Sequence, residues 1–308
     1  MFKIAAMVRS TSLGLAALYF AGAALAVPPC DPQKLVVLER AWNELIRTGE
    51  LRRFNFAMGP DLVYKENDKT LDIRKGITSK ALDVSANRAF YDTTLCKIFA
   101  EHVVTNPEHP YVINAQVYVV DGRVSELDVL VTDKGDFTFN ATTYQAIGYS
   151  QKWGLIPKSE RSTREYLKDA GDAYLEHLHS RAPFPVRAPC MILSSGYDSS
   201  KGNDTVDACT HEPYKPGDPI QTMHNRRYLI DEVCIDWLKM LSLLISCDQS
   251  FGVVNIFTLF TGLDKNLTAA LIPDSHLFRL ENGKIRYIHL AAACITPNCG
   301  WDDSWEDN

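Results

Sequence analysis

Signatures of the common enzyme classes are missing from this 308-residue sequence. It contains no G-x-S-x-G nucleophile elbow, no Walker loop, no G-x-G-x-x-G after a predicted strand and no H-E-x-x-H. These absences argue against a nucleotide-dependent enzyme and an ordinary serine hydrolase. The eight histidines are scattered along the chain, so the sequence predicts no metal site.

A block rich in lysine and arginine is also missing. The chain carries 32 basic against 38 acidic residues, a formal net charge of −6. Binding to a phosphate backbone needs clustered positive charge, so we expect no nucleic-acid partner. With 46% hydrophobic and 23% charged residues, the composition is that of a globular protein.

Long hydrophobic runs are limited to a short one at the amino terminus. Lys3 and Arg9 precede the apolar run 13–25, and Ala24-Leu25-Ala26 has the form of a cleavage site. The run is shorter than the roughly 20 residues that span a membrane. We expect residues 1–26 to be a signal peptide, and the mature protein to occupy the secretory lumen or the extracellular space without a membrane span.

Cysteines and sequons agree with that route. An even number of cysteines in an oxidising compartment favours disulfides, and eight allow about 105 pairings, among which the sequence does not choose. Sequons at Asn140, Asn203 and Asn266 permit N-glycosylation. The disulfide candidates are Cys30, Cys96, Cys190, Cys209, Cys234, Cys247, Cys294 and Cys299.

The order of predicted elements occurs twice. Helical periodicity predicts helices at 33–49 and 163–179. The first is followed by strand-like runs at 96–105, 111–120 and 123–132, and the second by runs at 251–260, 275–280 and 284–294. Asp121-Gly122 and Asn282-Gly283 are hairpin signals. The sequence therefore favours a duplicated α+β unit, with the first copy at 27–155 and the second, which ends in an acidic tail, at 156–308. The alternative is a chance likeness between two unrelated hairpins.

Two histidines are the first candidates for catalysis. Alternation along strand 284–294 puts His289 on one face with Ile285, Tyr287 and two alanines, and His276 shares a face with Phe278. Imidazoles titrate near neutral pH, so either histidine is suited to general acid or base catalysis in a dry cavity. The alternative for each is a hydrogen-bonded structural histidine.

Further candidates lie at corresponding positions of the two halves. The segment 88–92 resembles 227–231, which aligns Asp92 with Asp231. A carboxylate in an apolar wall has a raised pKa and donates a proton, whereas one bonded to arginine is structural, which we favour for Asp92. Tyr228 joins His289, His276 and Asp231 as a catalytic candidate. The predicted substrate-binding residues are Tyr287, Phe278, Trp237 and Arg227.

A series of short motifs resembles a family of secreted fungal proteins. The likeness covers nearly all of the mature chain. The motifs include residues 64–67, 90–96, 109–113, 132–137, 139–141, 171–175, 188–190, 225–228, 273–276 and 281–289.

This resemblance implies two tandem cone-like units of the nuclear-transport-factor and SnoaL-like superfamily, in which a curved, mainly antiparallel sheet and helices enclose an apolar pocket. The family includes hetero-Diels–Alderases of tropolone sesquiterpenoid biosynthesis. Their reaction joins a tropolone-derived o-quinone methide to a humulene-type sesquiterpene, without a cofactor. The fold alone does not fix the function.

The residue inventory is compatible with such a cyclase. Cycloaddition needs two apolar reactants held in the right orientation, and a preceding loss of water would be helped by an acid such as His289 or Asp231 and by donors such as Tyr228 or Arg227. The alternatives are a secreted carrier of apolar small molecules and a cofactor-free dehydratase or isomerase. A homodimer is possible in each case.

Overall fold

Two six-stranded sheets follow each other along the chain, each with one long helix packed against it. The structure is a computed structural model. It describes residues 30–202, 207–209, 222–236, 245–248, 250–262, 264, 266–296 and 299, with backbone only at 187, 233–236 and 245–248. In this part of the chain, no helix is long and apolar enough to cross a membrane.

The first unit consists of helix α1 (Pro32–Thr48) and the first sheet. Asp31 caps α1 by accepting a hydrogen bond from the Gln33 amide, and the left-handed Gly49 ends it. The strand order is β2-β1-β6-β5-β4-β3. The strands are β1 (Met58–Glu66), β2 (Lys69–Leu71), β3 (Ala86–Asp92), β4 (Lys97–Val104), β5 (Tyr111–Val120) and β6 (Arg123–Thr132).

A short connecting helix precedes the second unit. Helix α2 (Ala141–Gly148) is capped by the side chain of Asn140, and helix α3 (Arg164–Ser180) begins after the cap Thr163. Both long helices match the helices predicted at 33–49 and 163–179.

The second sheet has the order β8-β7-β14-β13-β12-β9, which repeats the first strand by strand. In both sheets the opening strand pairs in parallel with the last one, and the other pairings are antiparallel. Two sheet-based α+β units in tandem are therefore confirmed. The strands are β7 (Val186–Ser194), β8 (Tyr197–Asp198), β9 (Met223–Ile230), β10 (Val233–Asp236), β11 (Ile245–Asp248), β12 (Val253–Phe260), β13 (Ile272–Glu281) and β14 (Lys284–Ala292). The strands β10 and β11 form a separate hairpin.

The predicted hairpin turns are present, and each is followed by a bulge. Asp121-Gly122 and Asn282-Gly283 take the left-handed conformation that such turns require. In β14, Ile285 pairs with Leu280 but Tyr287 pairs with Arg279. The extra residue reverses the alternation, so Ile285 packs under α3 while Tyr287 faces the first sheet. The expectation that these two side chains share a face is wrong.

Each sheet buries one face under its own helix and the other against its counterpart. Leu38, Trp42 and Leu45 of α1 are fully buried on the first sheet, and burial of each such side chain stabilises the fold by about 1.5 to 3 kcal/mol. Between the sheets, Phe99 of one unit and Phe257 of the other belong to one apolar cluster. The two units are therefore packed together through their sheets.

Candidate functional site

A buried aromatic group lies between α3 and the second sheet. Tyr174 of α3 contacts the rings of Phe278 at 5.3 Å and His276 at 5.7 Å between centroids. His276 is stacked between Phe260 at 6.0 Å and Phe278 at 5.8 Å. The predicted common face of His276 and Phe278 is confirmed.

An acidic side chain holds the imidazole in place. His276 Nδ1 donates to Asp274 Oδ1 at 2.8 Å, and Thr258 Oγ1 donates to the same oxygen at 2.9 Å. Asp274 and His276 lie two residues apart on β13 and so project from the same face. The carboxylate thereby fixes the ring orientation and places the proton on Nδ1.

The other imidazole nitrogen, Nε2, does not take part in this contact. Among the described residues, His276 Nε2 has no hydrogen-bond partner, and the side chain as a whole is 2% exposed. An oriented imidazole with an open Nε2 lone pair has the geometry of a general base, and its protonated form that of a general acid.

Tyr228 lies on the same side of the second sheet, but its hydroxyl is engaged elsewhere. It donates to Asp172 Oδ1 at 2.7 Å, and Arg226 donates to the same oxygen at 2.6 Å. Lys168 completes the group by binding Asp172 Oδ2 at 2.7 Å. This partly exposed ionic cluster ties β9 to α3.

His289 lies on the opposite face of the second sheet, toward the first unit. Its Nε2 donates to Gln151 Oε1 at 2.7 Å, and Trp153 Nε1 donates to the same oxygen at 3.0 Å. The ring of Trp153 covers His289 at 5.0 Å and Tyr287 at 5.9 Å. Burial and the nearby Arg88 guanidinium hold the pKa of His289 well below its usual range, so this imidazole is neutral at physiological pH.

Arg227 also lies between the sheets. Its Nε is 2.6 Å from Asp128 Oδ2 on the first sheet, and its guanidinium lies over the Phe257 ring at 5.9 Å. The arginine is thus paired with a buried carboxylate of the other unit.

Asp231 is fully buried just after β9. Its Oδ2 accepts from the Phe251 amide at 2.8 Å, while Oδ1 has no hydrogen-bond partner among the described residues. Burial raises the pKa of Asp231 to about 7. The predicted rise therefore occurs, although Asp231 lies on the face away from His276.

The structure consequently separates the predicted site residues into two groups. His276, Phe278 and Tyr228 lie on the α3 side of the second sheet, and His289, Tyr287, Arg227 and Asp231 lie on the side facing the first sheet. Trp237 is outside the described residues. Sequence reasoning missed Asp274, although its spacing of two from His276 was a usable signal.

The cysteines form three described disulfides, Cys30–Cys96, Cys190–Cys209 and Cys294–Cys299. Cys234 and Cys247 are directly opposite each other in the β10–β11 register. One group in the described part has metal-ligand spacing, Cys190, Asp207 and Cys209, but its sulfurs are joined to each other. Such bonds are typical of proteins that fold in an oxidising compartment.

The sequon asparagines Asn140 and Asn266 are exposed, as glycosylation requires. Asn203 and the predicted signal peptide, residues 1–26, lie outside the described residues.

Comparison with known sequences gives one family match. Residues 160–236 and 241–292, which include α3 and all six strands of the second sheet, are similar to the family described as "Domain of unknown function (DUF8021)". No curated protein matches the chain significantly.

Proposed function

We propose that this protein is a cofactor-free enzyme that converts small apolar molecules in the second unit. The observation that carries the proposal is the buried Asp274–His276 pair, in which Nε2 has no hydrogen-bond partner among the described residues and the imidazole is stacked between two aromatic rings. Because proton transfer by a positioned imidazole accelerates reactions by about 10²- to 10⁴-fold, this pair is the best-placed acid–base group among the predicted candidates.

The proposed reaction begins with the loss of water from a hydroxymethyl tropolone. His276 Nε2 takes the proton of the ring hydroxyl, and the imidazolium is stabilised by Asp274. The same imidazolium then returns a proton to the departing hydroxyl group. The products are an o-quinone methide and water, and the histidine is regenerated.

A cycloaddition then joins the quinone methide to a humulene-type sesquiterpene. Two new σ bonds form and no atom is lost, so no further acid, base or cofactor is required. Orientation alone contributes up to about 7 to 11 kcal/mol to such a step. The resemblance to hetero-Diels–Alderases supports this choice of reactants, and the aromatic rings around His276 supply an apolar surface.

The proposal assigns each helix-covered sheet to the cone-like nuclear-transport-factor and SnoaL-like superfamily. In that arrangement the reactants enter between α3 and the second sheet. His289 and Asp231, which lie between the two sheets, then serve the packing of the units rather than the reaction. The disulfides support a secreted location for the enzyme.

The test uses the mature chain produced through a eukaryotic secretory pathway. It is incubated with a hydroxymethyl tropolone and a humulene-type alcohol, and the adduct is quantified by chiral chromatography. We expect a single stereoisomer, and a fall in rate of about 10²-fold or more for His276→Ala. His289→Gln is the matched control, since it changes a buried histidine on the other face, and we expect it to retain most activity.

Three outcomes would contradict the proposal. A rate equal to that with boiled protein, while the folded protein still binds either reactant, would identify a carrier. Water loss without adduct formation would identify a dehydratase. Loss of activity in His289→Gln but not in His276→Ala would move the chemistry to the space between the sheets.

A further inference from the structure

The first unit contains a cavity of about 290 Å³ that the proposed reaction does not use. It lies between the segment 80–83, which precedes β3, and the loop that joins β4 to β5. Its apolar lining comes from Leu82, Val104 and Tyr111, each less than 9% exposed. The floor is therefore a continuation of the first unit's hydrophobic core.

A cation and a phenol meet at this cavity. Lys80 Nζ donates to the Tyr111 hydroxyl at 2.8 Å, and the ammonium lies 5.0 Å from the centre of the Tyr111 ring. Because the hydroxyl oxygen accepts from Lys80, its own proton is left to donate, and no described residue accepts it. Together the ammonium and the phenol present several N–H and O–H donors to one acceptor group.

The rest of the polar lining is mixed. Asp83, Asn106 and His109 complete the wall. Burial raises the pKa of the nearby Asp133, and the Lys80 ammonium opposes that rise. The carboxylate of Asp83 supplies an acceptor for a hydroxyl group. The cavity thus combines donors for an oxyanion with an acceptor and an apolar floor.

The second unit differs in chemistry at the position that corresponds to this cavity. Val104 pairs with Tyr111, and the corresponding pair in the second sheet is Phe260 with Ile272. There both residues are apolar and are buried in a cluster with Cys299. The second sheet therefore has no counterpart of the Tyr111 hydroxyl at this position.

We propose that this cavity is a binding site for a small hydroxylated aromatic acid. The carboxylate accepts from Lys80 Nζ and the Tyr111 hydroxyl, the ring lies on Leu82 and Val104, and the hydroxyl group donates to Asp83. Two of the lining residues, His109 and Tyr111, belong to the sequence motif at 109–113, so the proposal gives this motif a function in ligand binding.

The test measures binding of 4-hydroxybenzoate to the mature protein by calorimetry and saturation-transfer NMR. For a ligand of this size we expect a Kd of about 1 mM or below. The neutral analogue 4-hydroxybenzamide keeps the ring and the hydroxyl group but lacks the charge, and we expect it to bind at least about tenfold more weakly. Benzoate, which lacks the hydroxyl group, should bind a few-fold more weakly.

Variants locate the site. Lys80→Met should weaken binding about tenfold, Tyr111→Phe several-fold, and Asn106→Trp should fill the cavity from an exposed loop position. Lys75→Met is the matched control on a neighbouring exposed lysine, and it should bind as the parent does. Melting temperatures report whether each variant is folded.

The proposal is independent of the reaction proposed above. His276→Ala should bind 4-hydroxybenzoate unchanged. Equal affinity for the acid and the amide, unchanged affinity in folded Lys80→Met and Asn106→Trp, or loss of binding in His276→Ala alone would each overturn it.

Discussion

Asp92 and Asp231 hold equivalent positions at the ends of β3 and β9, yet their surroundings differ sharply. Both are fully buried. Arg164 of α3 binds both oxygens of Asp92, at 2.9 and 2.7 Å, and the amides of Leu95 and Ile230 add two more bonds. The first residue of α1 is Pro32, so α1 offers no arginine where α3 has Arg164.

A second pair of residues at equivalent positions in the two units also differs in its ionic contacts. Asp128 and His289 are each the sixth residue after a hairpin glycine, and each faces the other sheet. Asp128 pairs with Arg227 of the opposite unit, whereas the equivalent Arg88 pairs with Glu101 in its own sheet at 2.9 Å. A duplicated backbone thus contains one set of ionic contacts that crosses the interface and one that does not.

The strongest test of this contrast is to remove the arginine that satisfies Asp92. Arg164→Leu leaves a buried carboxylate without its cation, so we expect a loss of about 3 to 5 kcal/mol in the free energy of unfolding. Arg74→Leu, which removes an exposed ion pair with Asp72, should cost under about 1 kcal/mol. Denaturant titration measures both free energies of unfolding. Equal losses would mean that the Arg164–Asp92 ion pair stabilises the protein no more than an exposed ion pair does.

Disulfides provide a second comparison between the units. Cys30–Cys96 closes a loop of 66 residues at the start of α1, whereas Cys294–Cys299 spans 5. By loop entropy, replacing both cysteines with serine should cost about 4 kcal/mol for the first bridge and about 2 kcal/mol for the second. Thermal unfolding of the two double variants checks the order. A larger loss for the short bridge would contradict the entropic account.

The smallest effect concerns Asp231 and depends on pH. The native state holds its proton up to about pH 7, whereas the unfolded chain releases it near the usual value of 3.8. The native state therefore binds more protons between these values, and this carboxyl lowers stability as the pH rises from about 4 to 7. Asp231→Asn should stabilise the protein by about 1 to 3 kcal/mol at pH 8 and have little effect near pH 4.

Asp92→Asn is the matched control for that prediction. It removes a charge that Arg164 stabilises, so we expect it to destabilise the protein at pH 8. Melting temperatures at pH 4, 6 and 8 compare the two variants. A gain in stability from Asp231→Asn that stays constant across this range would show that Asp231 titrates normally.

Much of the fold was predictable because its signals are local. The helices at 33–49 and 163–179 follow from apolar periodicity, and the two hairpins from Asp121-Gly122 and Asn282-Gly283. The bulge after Asn282-Gly283 was not predictable, since it depends on how β14 pairs with β7 and β13. This single extra residue moved Ile285 to the opposite face from Tyr287.

The candidate site was harder to predict from the sequence. The face of the sheet on which a side chain lies, and the residue that it contacts, both depend on how the sheets pack. Periodicity placed His276 beside Phe278 correctly, but it could not show that His289 faces the other unit under Trp153. Likewise, the sequence aligned Asp92 with Asp231 but did not reveal that Arg164, 72 residues along the chain from Asp92, neutralises only one of them.

The parallel pairing of each opening strand with its last strand has a consequence for biosynthesis. The first sheet is complete once Thr132 has been made, and the second only at Ala292. At about 5 to 20 residues per second, the ribosome needs roughly 10 to 30 s to synthesise the chain from Thr132 to Ala292. Throughout that time the nascent first unit exposes the face around Phe99, so we expect a chaperone to shield it until the second half emerges.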